Sequence, residues 1–387
     1  MQVGITRTCK ALGIQTEAVR DFAFSSIVLG ATVGTEASTF EEMANRLVYS
    51  GKQVPFDEIA NTAVEIELER HAMPGTEDAD RDTIIRRLDI VFGAANGMRR
   101  VAGGRAARTL LRNIRKKLSV ERVPRWDFEN KGYILYQEGF IYWLNNSVIT
   151  ALKLFERSAK ADERWAKETG SRFHKAKAAM SRVVGARIVV ETLTTVAKGP
   201  ANPDPDPEEL EKQAKILAAT WTTISDVRSR ITDGKQIGMC DRFERNAVLH
   251  LAQTRAWLND QCQGEWPGGN HKYTVEELLA MVQTGRLGLE EDTGILLAAS
   301  LARANLAFRQ GRYQTVIERL ADSPEIMLNR KAGETAGLRG QLLAIANRDL
   351  DNRDEFIRWC RWLATECNRD AGNGPAIEWS KANLAEA

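Results

Sequence analysis

Helical periodicity is the feature that most constrains this chain. The stretch "STFEEMANRLVYSG" (38–51) opens on Ser38 with Glu41 three residues on, and closes on Gly51. A serine whose oxygen accepts from the helix start, and a glutamate that reaches back, together satisfy amide groups that otherwise lack partners. "TVEELLAMVQTG" (274–285) repeats the device with Thr274 and Glu277. "DADRDTIIRRLDIVFGAANG" (78–97) carries an apolar stripe at Ile84, Leu88, Val91 and Phe92 and stops at Gly97. Runs near 208–231, 241–260, 290–310, 333–349 and 353–368 are amphipathic at the same period. "VEIELE" (64–69) alternates like a strand, but Pro55 and Asp57 upstream suit a helix start, and we read it as helix. The expected class is all-α.

One segment interrupts the pattern. "KGPANPDPDPEE" (198–209) holds prolines at 200, 203, 205 and 207. Proline lacks the amide proton a helix interior needs and fixes an extended backbone. The expectation is two helical lobes, residues 1–199 and 208–367, joined by a Pro/Asp linker at 200–207; a long surface loop within one domain has the same composition. Residues 368–387 form a terminal arm. Ile377, Trp379 and Leu384 are too few to make a core alone, so the arm folds back or docks on a neighbouring copy as an oligomer contact.

Charge is unevenly spread. The net charge is only +2 over 387 residues. Yet residues 98–125 hold Arg99, Arg100, Arg105, Arg108, Arg112, Arg115, Lys116, Lys117, Arg122 and Arg125 against the single acid Glu121, a net of +9, while 36–97 carries −7. In "ALKLFERSAKADERWAKETG" (151–170), Lys153, Arg157, Lys160, Arg164 and Lys167 recur at steps of four, three, four and three. A helix turns every 3.6 residues and rises about 1.5 Å per residue, so these five share one face roughly 5 Å apart. Val148, Leu152, Phe155 and Ala159 supply an apolar row for the core. A solvated helix surface also looks like this.

Concentrated like charge costs stability unless an anion relieves it, and a polyphosphate does so by releasing counterions without reading sequence. Arginine's planar fork suits phosphate. Trp126, Phe128, Tyr133, Tyr136, Phe140, Tyr142 and Trp143 lie between the two basic blocks, available for the core or for stacking on unpaired bases. A weaker basic region, 227–245, sets Arg228, Arg230, Lys235, Arg242 and Arg245 against Asp233, Asp241 and Glu244.

Catalytic signatures are missing. His71, His174, His250 and His271 make no HExxH and no zinc spacing with cysteine, and Glu67 four residues before His71 is a spacing that chance supplies. No phosphate-binding glycine loop or nucleophile elbow occurs. The expectation is no enzyme, no cofactor and no metal. Cys9, Cys240, Cys262, Cys360 and Cys367 are odd in number and form no CxxC, which fits buried thiols in a reducing compartment. The apolar run 22–34 is shorter than the ~20 residues a bilayer needs. The chain is expected inside the cell, away from membranes.

Two resemblances follow. All-α composition, a proline-rich link, a basic middle and anchored ends resemble, as architecture, the nucleoproteins of negative-strand RNA viruses. That family clamps RNA between two helical lobes and joins copies through terminal arms. The resemblance implies a protein that coats single-stranded RNA or another polyanion as a homo-oligomer, in a virion or ribonucleoprotein. Arg99, Arg100, Arg105, Arg108, Arg112, Arg115, Lys116 and the row from Lys153 to Lys167 would be its nucleic-acid contacts. Residues 132–163 instead resemble a tetratricopeptide repeat, with Gly139, Tyr142, Ala151 and Phe155 at the small and aromatic positions, Ser158 at a further small one, and Glu163 where that family has proline. Residues 301–324 match more loosely, one residue short in the turn. The alternative these imply is a helical scaffold for a protein partner.

Overall fold

The structure is a computed structural model. It describes residues 107–109, 112, 129, 131–145, 147–194, 205–260, 273–283, 293–320, 330–367 and 374–386. Helix makes up 88% of this and no strand occurs among the described residues, so the fold is all-α. The helices expected at 38–51, 64–69 and 78–97 lie outside the described residues, as do Cys9 and Cys262.

The chain forms two compact units, Met1–Ser147 and Val148–Ala387. In the first, α1 (Lys131–Leu144) buries Ile134, Leu135 and Ile141. Tyr136, Phe140 and Trp143, three or four residues apart, meet edge to face with centroids 5.1 and 5.8 Å apart. They pack on each other as aromatic neighbours on a helix face do. Asn145 ends the helix by donating from Nδ2 to the Ile141 carbonyl at 2.7 Å.

The second unit holds ten described helices: α2 (Val148–Thr169), α3 (Arg172–Thr194), α4 (Pro207–Arg230), α5 (Gly234–Trp257), α6 (Val275–Gln283), α7 (Thr293–Arg309), α8 (Tyr313–Leu320), α9 (Arg330–Asp349), α10 (Arg353–Thr365) and α11 (Gly374–Glu386). Each of the amphipathic runs expected from 208 onward corresponds to one of them. Local chemistry sets their ends. The Thr274 amide donates to Glu277 Oε2 at 2.6 Å, and the Glu277 amide returns to Thr274 Oγ1 at 3.2 Å, closing the expected box ahead of α6. Asp206 accepts from the Glu208 amide, so the last proline of the 198–209 stretch, Pro207, is the first residue of α4.

Helices pack chiefly on their chain neighbours. α2 lies on α3, α3 on α4 and α5, α5 on α6 and α7, α7 on α8 and α9, and α9 on α10 and α11. The proline-rich stretch therefore joins two helices, α3 and α4, that pack together inside one unit. α3 is covered on several sides and buries Ala176, Ala179, Val183, Val184, Ile188 and Val190.

One hairpin occurs twice. After α7, the amides of Gln310, Gly311 and Arg312 bond to the carbonyls of Leu306, Phe308 and Ala307, with Gly311 left-handed at φ 71°. Forty residues on, Leu350, Asp351 and Asn352 bond to Ala346, Arg348 and Asn347 in the same pattern, with Asp351 at φ 58°. This is the bonding by which a left-handed residue closes a helix end. Core positions match too: Ala304 with Ala344, Val316 with Phe356, and Leu320 with Cys360 are all buried. α7–α8 and α9–α10 are two copies of one helical hairpin. The first copy takes in residues 301–320 of the 301–324 match.

The C-terminal segment folds back. Ile377 and Trp379 are buried, and Trp379 joins Ala344, Ile345, Phe356, Cys360 and Leu363, with Leu384 against the same cluster. Trp379 and Leu384 thus pack in the protein's own core beside α9 and α10, and Ile377 is buried as well. Burial pushes the thiols of Cys240 and Cys360 up to about 11. No helix among the described residues is long and apolar enough to cross a membrane.

Candidate nucleic-acid interface

The cation row is a real surface. α2 buries Ala151, Leu154, Phe155, Ser158, Ala159, Asp162 and Ala166 against α3. That stripe turns Lys153, Arg157, Lys160, Arg164 and Lys167 outward, and all five are exposed. Lys160 pairs with Glu156 at 3.2 Å with both groups in solvent, and Glu163 turns to Arg182 of α3 at 2.6 Å. Exposed pairs of this kind are worth about 0–1 kcal/mol and do not cancel the field of the row. Across α2 and α3 ten cations face five carboxylates.

One of those five is not on the surface. Asp162 is 2% exposed, and one of its oxygens has no hydrogen-bond partner. Burial raises its carboxyl to about 7, against the opposing pull of Lys177 on α3. Nearby Ser158 Oγ and Ser181 Oγ meet at 2.9 Å across the same seam.

The basic region 227–245 comes up to the row. The Arg172 guanidinium, at the start of α3, donates to the Arg230 carbonyl at the end of α4 at 3.2 Å. The α2–α3 and α4–α5 turns therefore lie side by side. Within 227–245, Arg228 is held by Asp241 at 3.0 Å and Arg230 by Asp226 at 2.6 Å. Arg245 is buried, so it belongs to the core and not to the surface.

Of the first basic block, Arg108 and Arg112 are exposed, and the Arg108 guanidinium lies 5.7 Å over the Tyr142 ring. Arg99, Arg100, Arg105, Arg115 and Lys116 lie outside the described residues, as do Trp126 and Phe128. Among the repeat-like positions, Gly139 is buried in the first unit, and Ala151, Phe155 and Ser158 are buried in the second.

Sequence reasoning missed two half-buried rings, Phe173 and Phe243. They stack with centroids 6.4 Å apart and planes 11° from parallel. Seventy residues separate them, so only the position of each beside a cation (Arg172, Arg242) was visible beforehand. Among the described residues no group of three His, Cys, Asp or Glu side chains is placed to hold a metal ion. No protein-family model matches this chain, and no curated protein matches it.

Proposed function

We propose that this chain binds nucleic acid, most simply single-stranded RNA, through the phosphate backbone along the cation row of α2. The carrying observation is that all five cations of the row are exposed on one face while the opposite face is buried. A ridge with cations every ~5 Å offers successive phosphates a contact without base readout. The coating role implied by the likeness to viral nucleoproteins would be one form of this binding. Self-assembly draws no support from the C-terminal anchors, which lie in the protein's own core.

The test is a titration of fluorescein-labelled oligouridine with the full chain and with the variant Lys153→Glu, Arg157→Glu, Lys160→Glu. Binding should weaken by more than about tenfold, because each lost phosphate contact removes its share of counterion release. A folded triple variant, by circular dichroism, that binds like the parent overturns the proposal.

A second reading has its own observation. The α7–α8 hairpin recurs as α9–α10, and neighbour-on-neighbour packing is how helical-repeat scaffolds are built. On this reading the chain holds a protein partner. That binding would be nearly indifferent to salt, where phosphate binding falls steeply.

A further inference from the structure

The α2 row explains attraction to a polyanion but does not choose among polyanions. The neighbouring turn end does. Phe173 is the second residue of α3, beside the α2–α3 turn. Phe243 reaches the same place from α5, and the two rings lie parallel at 11°. Neither is fully buried, which is unusual for phenylalanine. Lys177 sits 5.5 Å from the Phe173 centroid. The cations flanking the rings in sequence and across the turn, Lys167, Arg172, Lys175 and Arg242, are all exposed. The nearby acids are largely engaged. Asp226 and Asp241 hold Arg230 and Arg228, and Asp233 caps α5 by accepting from the Gln236 amide at 2.8 Å. Glu168 is the exposed carboxylate that remains in the α2 part of this end.

We infer that the Phe173–Phe243 pair is a stacking platform for unpaired bases, so that the ligand of the α2 row is a single-stranded nucleic acid; this rests on the phosphate-binding reading of that row. Rings set among cations are what a single strand requires, since its bases expose their faces while its phosphates need positive charge. A duplex keeps its bases stacked on each other and offers these rings nothing. An apolar peptide would find only two half-buried rings, set in a field of positive charge.

Three probes separate the possibilities: labelled 20-nucleotide oligouridine, an RNA duplex of equal length, and inorganic polyphosphate, which has charge but no bases. The variants Phe173→Leu and Phe243→Leu keep apolar volume and remove the π face. The wild type should prefer the single strand to the duplex. Each variant should lose about five- to 150-fold for the single strand per base unstacked, with polyphosphate binding unchanged. Equal affinity for all three probes, with the leucine variants indistinguishable from wild type, overturns the platform and leaves the row as a bare phosphate grip. Failure to bind any probe overturns both. Should a leucine variant not fold, 4-thiouridine crosslinking of the wild type decides: adducts on peptides containing Phe173 or Phe243 support the platform, and adducts confined to other peptides overturn it.

Discussion

Two buried groups of opposite sense should hide one another in the pH dependence of stability. Asp162 lies at the α2–α3 seam, and burial raises its carboxyl from 3.8 to about 7. The folded protein therefore holds a proton there that the unfolded chain releases above about 4. This contribution is full below 3.8 and fades as pH rises to about 7. His250, buried in α5, is shifted the other way: burial, then the charge of Arg187, lowers it from 6.5 to about 3, while Gln253 at 2.7 Å opposes the shift. Its contribution is full above 6.5 and fades as pH falls toward about 3. Each slope is about 1.4 kcal/mol per pH unit, with opposite sign, so between about pH 4 and 6.5 the two cancel. Asp162→Asn should expose the histidine: relative to wild type, stability should rise by about 3 kcal/mol from pH 4.5 to 6.5. His250→Gln should show a fall of about the same size. Urea unfolding followed by circular dichroism at 222 nm reads both. Taking differences from wild type removes all other titrations. Profiles for both variants that parallel the wild type across this window refute the reasoning, because neither proton would then differ between folded and unfolded chains.

Other outcomes follow from single contacts. If five phosphates are engaged by the α2 row, oligouridine affinity should fall about 100-fold between 50 and 200 mM salt. Lys153→Gln with Lys167→Gln should cut that to about 20-fold, while an unchanged slope would remove the row from the interface. Gly340→Ala should destabilise by ~1–2 kcal/mol. An added Cβ would sit 2.6 Å from Leu363 Cδ2 and 3.1 Å from Trp362 Cζ3, which outweighs the ~1 kcal/mol alanine normally adds to a helix; a rise in urea midpoint would refute this. The paired turns predict opposite signs: Gly311→Ala should cost ~1–2 kcal/mol at its left-handed position, and Asp351→Gly should stabilise by up to ~1 kcal/mol, both read from thermal unfolding.

What was legible depended on where each signal is stored. The Thr274–Glu277 box and the outward row on α2 were readable because three- and four-residue spacings are local geometry. α3 was not: its buried residues run around the helix, so no polar stripe marks it. The repeat stayed half hidden for a related reason. Gly311 and Asp351 take the same backbone form, and Leu301 and Gln341 the same place in the hairpin, so shape is shared where chemistry is not. The tail's apolar residues were visible, but their destination among Ile345, Cys360 and Leu363 was a matter of tertiary packing. The Phe173–Phe243 pair needed α3 to pack on α5, and nothing within either segment announces the other.

Packing on chain neighbours has a consequence for how this protein answers a ligand. No described helix of Val148–Ala387 has its main contacts far along the chain, so free energy added at one place is passed hand to hand and dwindles at every step. A strand pinned across the α2–α3 and α4–α5 turns would slow amide exchange there and leave α9 to α11 exchanging as before. The two ends of this unit are free to keep separate company.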